Sequence, residues 1–247
     1  MIVKKRRKPD QMLALEALER RTSLRRDDIE KDLTLVSAGF RGEESLDYHL
    51  QLLPPHYQIL HDVRLPIDHQ FIQLDPLLQV RRQKNYLRKW LNAYRYPDLP
   101  IETLIVISKP STIIHTSNPS VIHSAYLPFI INELDSKYAQ RVLGQNELLR
   151  MGEELKQAHV PRKIDVLQNY KIKKEELRVG VHCPSCRALP MNRGYGKWKC
   201  SICGLDSVDA HIESLRDYRL LVEESITNRE LRWFLQIDSE SIARSII

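Results

Sequence analysis

An α/β protein carrying a small zinc-binding module is predicted by three features of the sequence. Residues 101–108 (Ile-Glu-Thr-Leu-Ile-Val-Ile-Ser) are too uniformly apolar for a half-exposed strand and read as one buried on both faces. Stretches with apolar residues at helical spacing lie on both sides of it. All four cysteines fall in Cys183-Pro-Ser-Cys186 and, thirteen residues later, Cys200-Ser-Ile-Cys203. That is the spacing of two knuckles that close around one tetrahedral Zn²⁺.

With four thiolates the ion has no open coordination position, so the site reads as structural. Gly194, Gly196 and Gly204 supply the tight turns of a zinc ribbon, and Tyr195 with Trp198 gives its two-stranded tip something apolar to pack on. Two disulfides are the alternative. They are disfavoured because no secretory signal precedes the chain and disulfides are rare in the reducing cytosol. His182 and His211 flank the ribbon and can substitute for a thiolate ligand, but read better as solvated or capping residues.

The chain is 42% apolar and 28% charged, ordinary for a soluble globular protein. Its longest apolar runs fall well short of the roughly twenty residues that span a bilayer. The reading is a cytoplasmic protein with no membrane partner. A net charge of +6 favours polyanions as partners. The excess sits in Lys4 to Lys8, in Arg81, Arg82, Lys84, Arg88 and Lys89, and in Lys171 to Lys174. Any one of these reads as a solvated face or a mobile arm. Three of them beside a zinc ribbon point to nucleic acid, whose phosphates reward each cation through released counterions.

In chain order, residues 11–36 suggest one or two amphipathic helices, broken by Gly39 and Gly42. A further helix starts near Gly42 with Glu43 and Glu44 in its first turn, where the helix dipole favours carboxylates, and Pro54-Pro55 stops it. Residues 57–65 and 71–74 alternate like the arms of a hairpin. Asp75-Pro76 opens a long helix, aspartate as N-cap and proline at the first helical position, with Leu77, Leu78, Val80, Leu87, Trp90 and Leu91 as its buried stripe. Residues 112–115 suggest a short strand, and 129–138 and 147–157 two helices. Residues 161–180 read as a basic, polar lead into the ribbon. After it, residues 226–235 and 239–247 form two short helices, capped by Thr227 with Glu230 and by Ser239. They read as a packing hairpin or as part of a helix-turn-helix, which needs a third helix.

The order of several segments resembles the NERD (nuclease-related domain) family: Phe40-Arg41-Gly42-Glu43-Glu44-Ser45 before a leucine-striped helix, Ile59-Leu60-His61-Asp62-Val63-Arg64-Leu65-Pro66, Phe71-Ile72-Gln73-Leu74-Asp75 and Pro76 to Gln83. The ribbon and Thr227-Asn228-Arg229-Glu230 are similar to the tail of Bacillus-type bacterial members. The resemblance covers nearly all of residues 10–247. It implies a restriction-endonuclease-like core, in which a helix glutamate, a strand aspartate and a Glu-x-Lys gather Mg²⁺ over the scissile phosphate of DNA. Glu43 matches the helix glutamate and Asp75 the strand aspartate.

The chain departs from that pattern because Asp75 is followed at once by Pro76 and a helix, and no Glu-x-Lys occurs between residues 57 and 110. The resemblance thus implies a reduced nuclease-like domain of three or four strands, with Glu43 and Asp75 as a catalytic remnant lacking the lysine that activates water. The domain ranges implied are 1–38 (basic arm and N-terminal helices), 39–160 (shortened NERD domain), 161–180 (basic linker), 181–210 (zinc ribbon) and 211–247 (C-terminal helices). The leading expectation is a DNA-binding, catalytically degraded protein. An active nuclease rebuilt around Glu43, Asp75 and Glu102, or a protein-interaction module built on the ribbon, are the alternatives.

Overall fold

The computed structural model of the chain describes residues 1–65, 76–162 and 164–246, with residues 76–78 described in their backbone alone. Helices dominate and the sheets are small. The elements are β1 (Ile2–Lys4), α1 (Asp10–Arg21), α2 (Arg26–Glu44), α3 (Asp47–Gln51), β2 (Ile59–Leu60), α4 (Pro76–Ala93), β3 (Ile105–Ile107), β4 (Val121–His123), α5 (Leu127–Lys137), α6 (Gln145–Gln157), α7 (Val166–Tyr170), β5 (Asn192–Arg193), β6 (Trp198–Lys199), β7 (Asp206–Ser207), α8 (His211–Leu221), α9 (Asn228–Leu235) and α10 (Glu240–Arg244). None of the described helices is long and apolar enough to cross a membrane.

The chain forms two compact units, one of residues 1–7 and 38–162, the other of residues 8–37 and 163–247. In the first unit, β1 pairs in parallel with β2, and β3 in parallel with β4. The arm read as basic and mobile is therefore folded: Lys4 donates to the carbonyls of His61 (2.6 Å) and Asp62 (3.1 Å). The hairpin read over 57–65 and 71–74 has its first arm in this parallel pair instead, while its second arm lies outside the described residues. The strand read as buried on both faces is the three-residue β3, half-buried along its length. Its partner is β4, and no strand forms over 112–115, where Ile113 is 75% exposed. The core of this unit is built on Trp90, Leu91 and Tyr96, packed by Leu87, Leu99 and the α6 residues Met151 and Leu155. Trp90 and Leu91 keep the stripe read for α4.

Gly39 and Gly42 do not end a helix, because α2 runs through both. Glycine inside a helix costs roughly 1 kcal/mol against alanine. Gly42 shows what offsets it: a Cβ there would come within 2.6 Å of Ser108 Oγ, so the missing side chain permits a close approach.

In the second unit Ala14, Leu15, Ala17 and Leu18 of α1 pack with Ile29 of α2 and with Val166, Leu167, Ile172, Leu177 and Leu221. Residues 161–180, read as a polar lead, thus supply four buried apolar side chains and the helix α7, which Asp165 caps by accepting from Gln168 N–H. A second cluster joins Val181, Cys183, Met191, Trp198 and Cys200 to Tyr218 of α8 and Leu231, Phe234 and Leu235 of α9. The capping box of Thr227 and Glu230 and the Ser239 cap form as read.

Candidate metal centre and acidic cluster

The first cysteine knuckle precedes the antiparallel sheet β5-β6-β7 and the second lies in the connection from β6 to β7. In each knuckle the residue four after the first cysteine turns into the left-handed region, Arg187 at φ 60° and Gly204 at φ 73°. Its N–H closes back on the cysteine carbonyl, Arg187 to Cys183 (2.9 Å) and Gly204 to Cys200 (3.1 Å). This positive φ is free for glycine and strained for arginine, so the first knuckle keeps a geometry its local sequence does not favour.

The four sulfurs lie within 4.8 Å of one another, with Cys183 to Cys203 at 3.6 Å and Cys186 to Cys200 at 3.5 Å. A covalent S–S bond is about 2.05 Å, so the thiols are unpaired. The edge of a tetrahedron with metal–sulfur bonds of about 2.3 Å is close to the observed separations. The N–H groups of Cys203 and Ile202 point at Cys200 Sγ and, against desolvation, hold its thiol down to about 6. At Cys186 the Ala188 N–H favours the thiolate, yet desolvation and three neighbouring sulfurs push it up to about 12. Four thiols this close cannot all ionise without a central cation, so the donor set fits a soft divalent metal. Among the described residues it is the one group of three or more potential ligands gathered around a point.

Of the flanking histidines, His211 is half-buried and His182 is not solvated. His182 is 5% exposed and sits in a polar network that the sequence does not announce. Arg21, fully buried near the end of α1, donates to Asp217 Oδ2 (2.9 Å) and to the carbonyls of Arg178 and Gly180, and its guanidinium lies 4.4 Å from the Phe234 ring centre. Arg20 donates to the other Asp217 oxygen at 2.6 Å. His182 joins through Ser214 Oγ (2.9 Å from Nδ1) and Glu213 (3.1 Å from Nε2). Burial first, against the pull of Asp217, lowers its pKa, so the ring is neutral at pH 7. Serine, histidine and acid are the parts of a hydrolase triad, but Ser214 is fully buried and no reactant reaches it. The network braces the backbone entering the first knuckle, since the His182 N–H also donates to Ser214 Oγ (3.2 Å). His211 accepts from Trp198 Nε1 at 3.3 Å.

The residues of the expected nuclease remnant meet a different fate. Glu43 lies in the last turn of α2, not the first turn of a helix. The dipole there opposes a carboxylate. Its partner is Arg6, whose Nη1 donates to Glu43 Oε2 (2.8 Å), Nη2 to Asp47 Oδ1 (2.9 Å) and Nε to both Asp47 oxygens (3.2 Å). Asp62 stands 3.9 Å from the same guanidinium, and His61 Nδ1 accepts from it at 3.0 Å. Asp75 lies outside the described residues. Glu102 accepts from Lys137 (2.9 Å) and from the Tyr138 hydroxyl.

Desolvation, then the neighbouring Asp62 carboxylate, raises the Glu43 pKa despite Arg6. A carboxyl that holds its proton more tightly folded than unfolded lowers stability as pH rises through that window, and the penalty persists above it. Glu43→Gln is therefore expected to raise Tm slightly at pH 7–8, with the gain vanishing below pH 4. Because the side chain is 55% exposed, the effect stays under about 1 kcal/mol. Paired thermal melts at the two pH values check this, and a loss of Tm at pH 8 would contradict it.

On α4, Arg81 and Lys89 are exposed. Arg82 lies against the Tyr86 ring, Lys84 is half-buried, and Arg88 pairs with Asp98 and donates to Leu99 O. Helical spacing sets Arg81, Arg82, Arg88 and Lys89 on the side away from Trp90 and Leu87. At the C terminus, α8 is the third helix that the sequence left unplaced, but α10 is a single turn whose Arg244 pairs with Glu240.

The sequence reading missed α8 and its network. Ser214, Asp217, Tyr218 and Leu221 recur at helical spacing and are buried, but two of the four are polar, so the stripe is hidden from a hydrophobicity count. Comparison of the chain with protein-family models, curated proteins and solved structures finds no match.

Proposed function

We propose that this chain is a nucleic-acid-binding protein of NERD-type, nuclease-related descent that has given up phosphodiester cleavage, with a structural zinc ion in its ribbon. The observation that carries the reading is Arg6. A divalent cation in a nuclease site is held by clustered carboxylates. Here the chain's own guanidinium sits among Glu43, Asp47 and Asp62, in the place a bound cation would take. With Arg6 among the carboxylates and no Glu-x-Lys between residues 57 and 110, the cluster lacks an open place for the metal and the lysine that would activate water; Glu154-Leu155-Lys156 has the spacing but lies on α6. The restriction-endonuclease-like ancestry rests on the order of the sequence segments quoted above. DNA-binding surfaces are assigned within each unit by itself, to α4 in the first and to the ribbon and the C-terminal helices in the second, because phosphate binding rewards exposed cations with or without an active site. Zinc is the ion of choice for four thiolates, supplying cohesion and no open position.

Fluorescence anisotropy with a short DNA duplex tests this. Affinity should fall steeply between 50 and 200 mM salt, and Arg81→Ala with Lys89→Ala should lower the salt slope by about 2, near one unit for each phosphate no longer neutralised. Supercoiled plasmid should stay intact with Mg²⁺ or Mn²⁺. Cleavage that Glu43→Gln abolishes would defeat the reading, and binding indifferent to salt would favour a protein-interaction module.

A further inference from the structure

The ribbon tip does not pack as its sequence suggests. Trp198 is 1% exposed and closes the core, whereas Tyr195 is 103% exposed and is the most exposed large apolar side chain among the described residues. It sits on a two-residue loop with Gly196, between β5 and β6, closed by Gly194 N–H donating to Lys197 O (2.8 Å). Such loops favour asparagine, aspartate or glycine. A fully exposed tyrosine there gains nothing for the fold, and its exposure leaves the ring open to solvent. Lys197 flanks it, paired with Asp206, and Lys199 is exposed on the outer face of the sheet.

We infer that Tyr195 is a stacking finger for unpaired bases, so that the ribbon binds single-stranded nucleic acid. This rests on the nucleic-acid-binding reading above and names its substrate class. A free aromatic face finds no partner in a duplex, whose bases are already stacked on each other. In a single strand every base offers a π-face, and the exposed Lys199 on the same sheet supplies a cation for the backbone. Arg193 takes no part in the stack because its guanidinium is committed to the Trp198 ring, 4.9 Å from its centre. Tyr195 supports no buried neighbour, so replacing it leaves the ribbon and its cysteines undisturbed.

The test uses the full chain and two fluorescein-labelled probes, an oligo-dT of about fifteen nucleotides and a duplex of equal length. Tyr195→Ala should weaken oligo-dT binding by roughly 5- to 100-fold, the span for loss of one base–aromatic stack. Tyr195→Phe should bind like wild type. Duplex affinity and both salt slopes should be unchanged, as should Tm and metal content. Equal binding of oligo-dT by wild type and Tyr195→Ala overturns the inference, and so does an equal loss on both probes. If wild type binds neither probe, the nucleic-acid reading itself falls. If it binds both and Tyr195→Ala changes neither, only the stacking finger falls.

Discussion

Replacing Cys200 with serine, or stripping the metal with a strong chelator, is expected to abolish the thermal transition of the second unit or lower it by more than about 10 °C, corresponding to some 2–3 kcal/mol or more. The cysteines are not at the edge of this unit. Cys183 and Cys200 are 0% and 1% exposed and belong to the same cluster as Trp198, Tyr218, Leu231 and Phe234. Without a cation the four sulfurs cannot all stay ionised, since thiolates 3.5–3.6 Å apart repel. The knuckles then lose the interaction that holds them together and that offsets the strain at Arg187. Metal binding in such modules is folding free energy, on the order of 10 kcal/mol in isolated fingers. Elemental analysis should find one zinc per chain, and calorimetry with and without chelator should show the loss. Purified protein free of zinc, or a Cys200→Ser variant that melts with wild type, would sink the assignment.

Truncating Asp217 to alanine should cost about 3–5 kcal/mol, the range for removing one partner of a buried ion pair. Arg21 has 1% of its side chain exposed and Asp217 2%, so neither can turn to water. Burial opposes the Arg21 charge, Asp217 offsets part of that, and the pKa falls below the usual guanidinium range. The carbonyls of Arg178 and Gly180 and the Phe234 ring still hold the guanidinium when Asp217 is gone, but the counter-charge is absent. The double variant Arg21→Met with Asp217→Leu should recover much of the loss, because it removes both desolvated charges together. Chemical denaturation of wild type, Arg21→Met, Asp217→Leu and the double variant closes the cycle. A single-variant cost below about 1 kcal/mol would mean that the network contributes little to the unit. Because His182 lies in the same network and precedes Cys183, the Asp217 variant should also weaken metal retention.

These two expectations differ in how far they were legible beforehand. The four-cysteine cluster was readable because its signal is local: two Cys-x-x-Cys pairs with turn-forming neighbours declare a loop geometry within a few residues. The caps at Thr227 and Ser239 and the spans of α5 and α6 were readable for the same reason, since they depend on residues three or four apart. The Arg21–Asp217 pair was not, because the partners are separated by 196 residues and a charged side chain is assigned to the surface by default. Tyr195 was misassigned for a related reason: an aromatic beside a strand reads as packing, and only the turn register shows which of two aromatics faces inwards.

The sequence alone determined the kinds of local element, the knuckle spacing and the excess of positive charge, because propensity, capping and ligand spacing act over a turn or two of chain. Only the tertiary structure decided that β1 pairs with β2 across more than fifty residues, that α2 continues through Gly42 and carries Glu43 to its C-terminal end, and that Arg6 occupies the centre of the carboxylates there. Those outcomes depend on which distant surfaces meet, and a charge or a glycine takes its meaning from the partner it finds rather than from its neighbours in sequence.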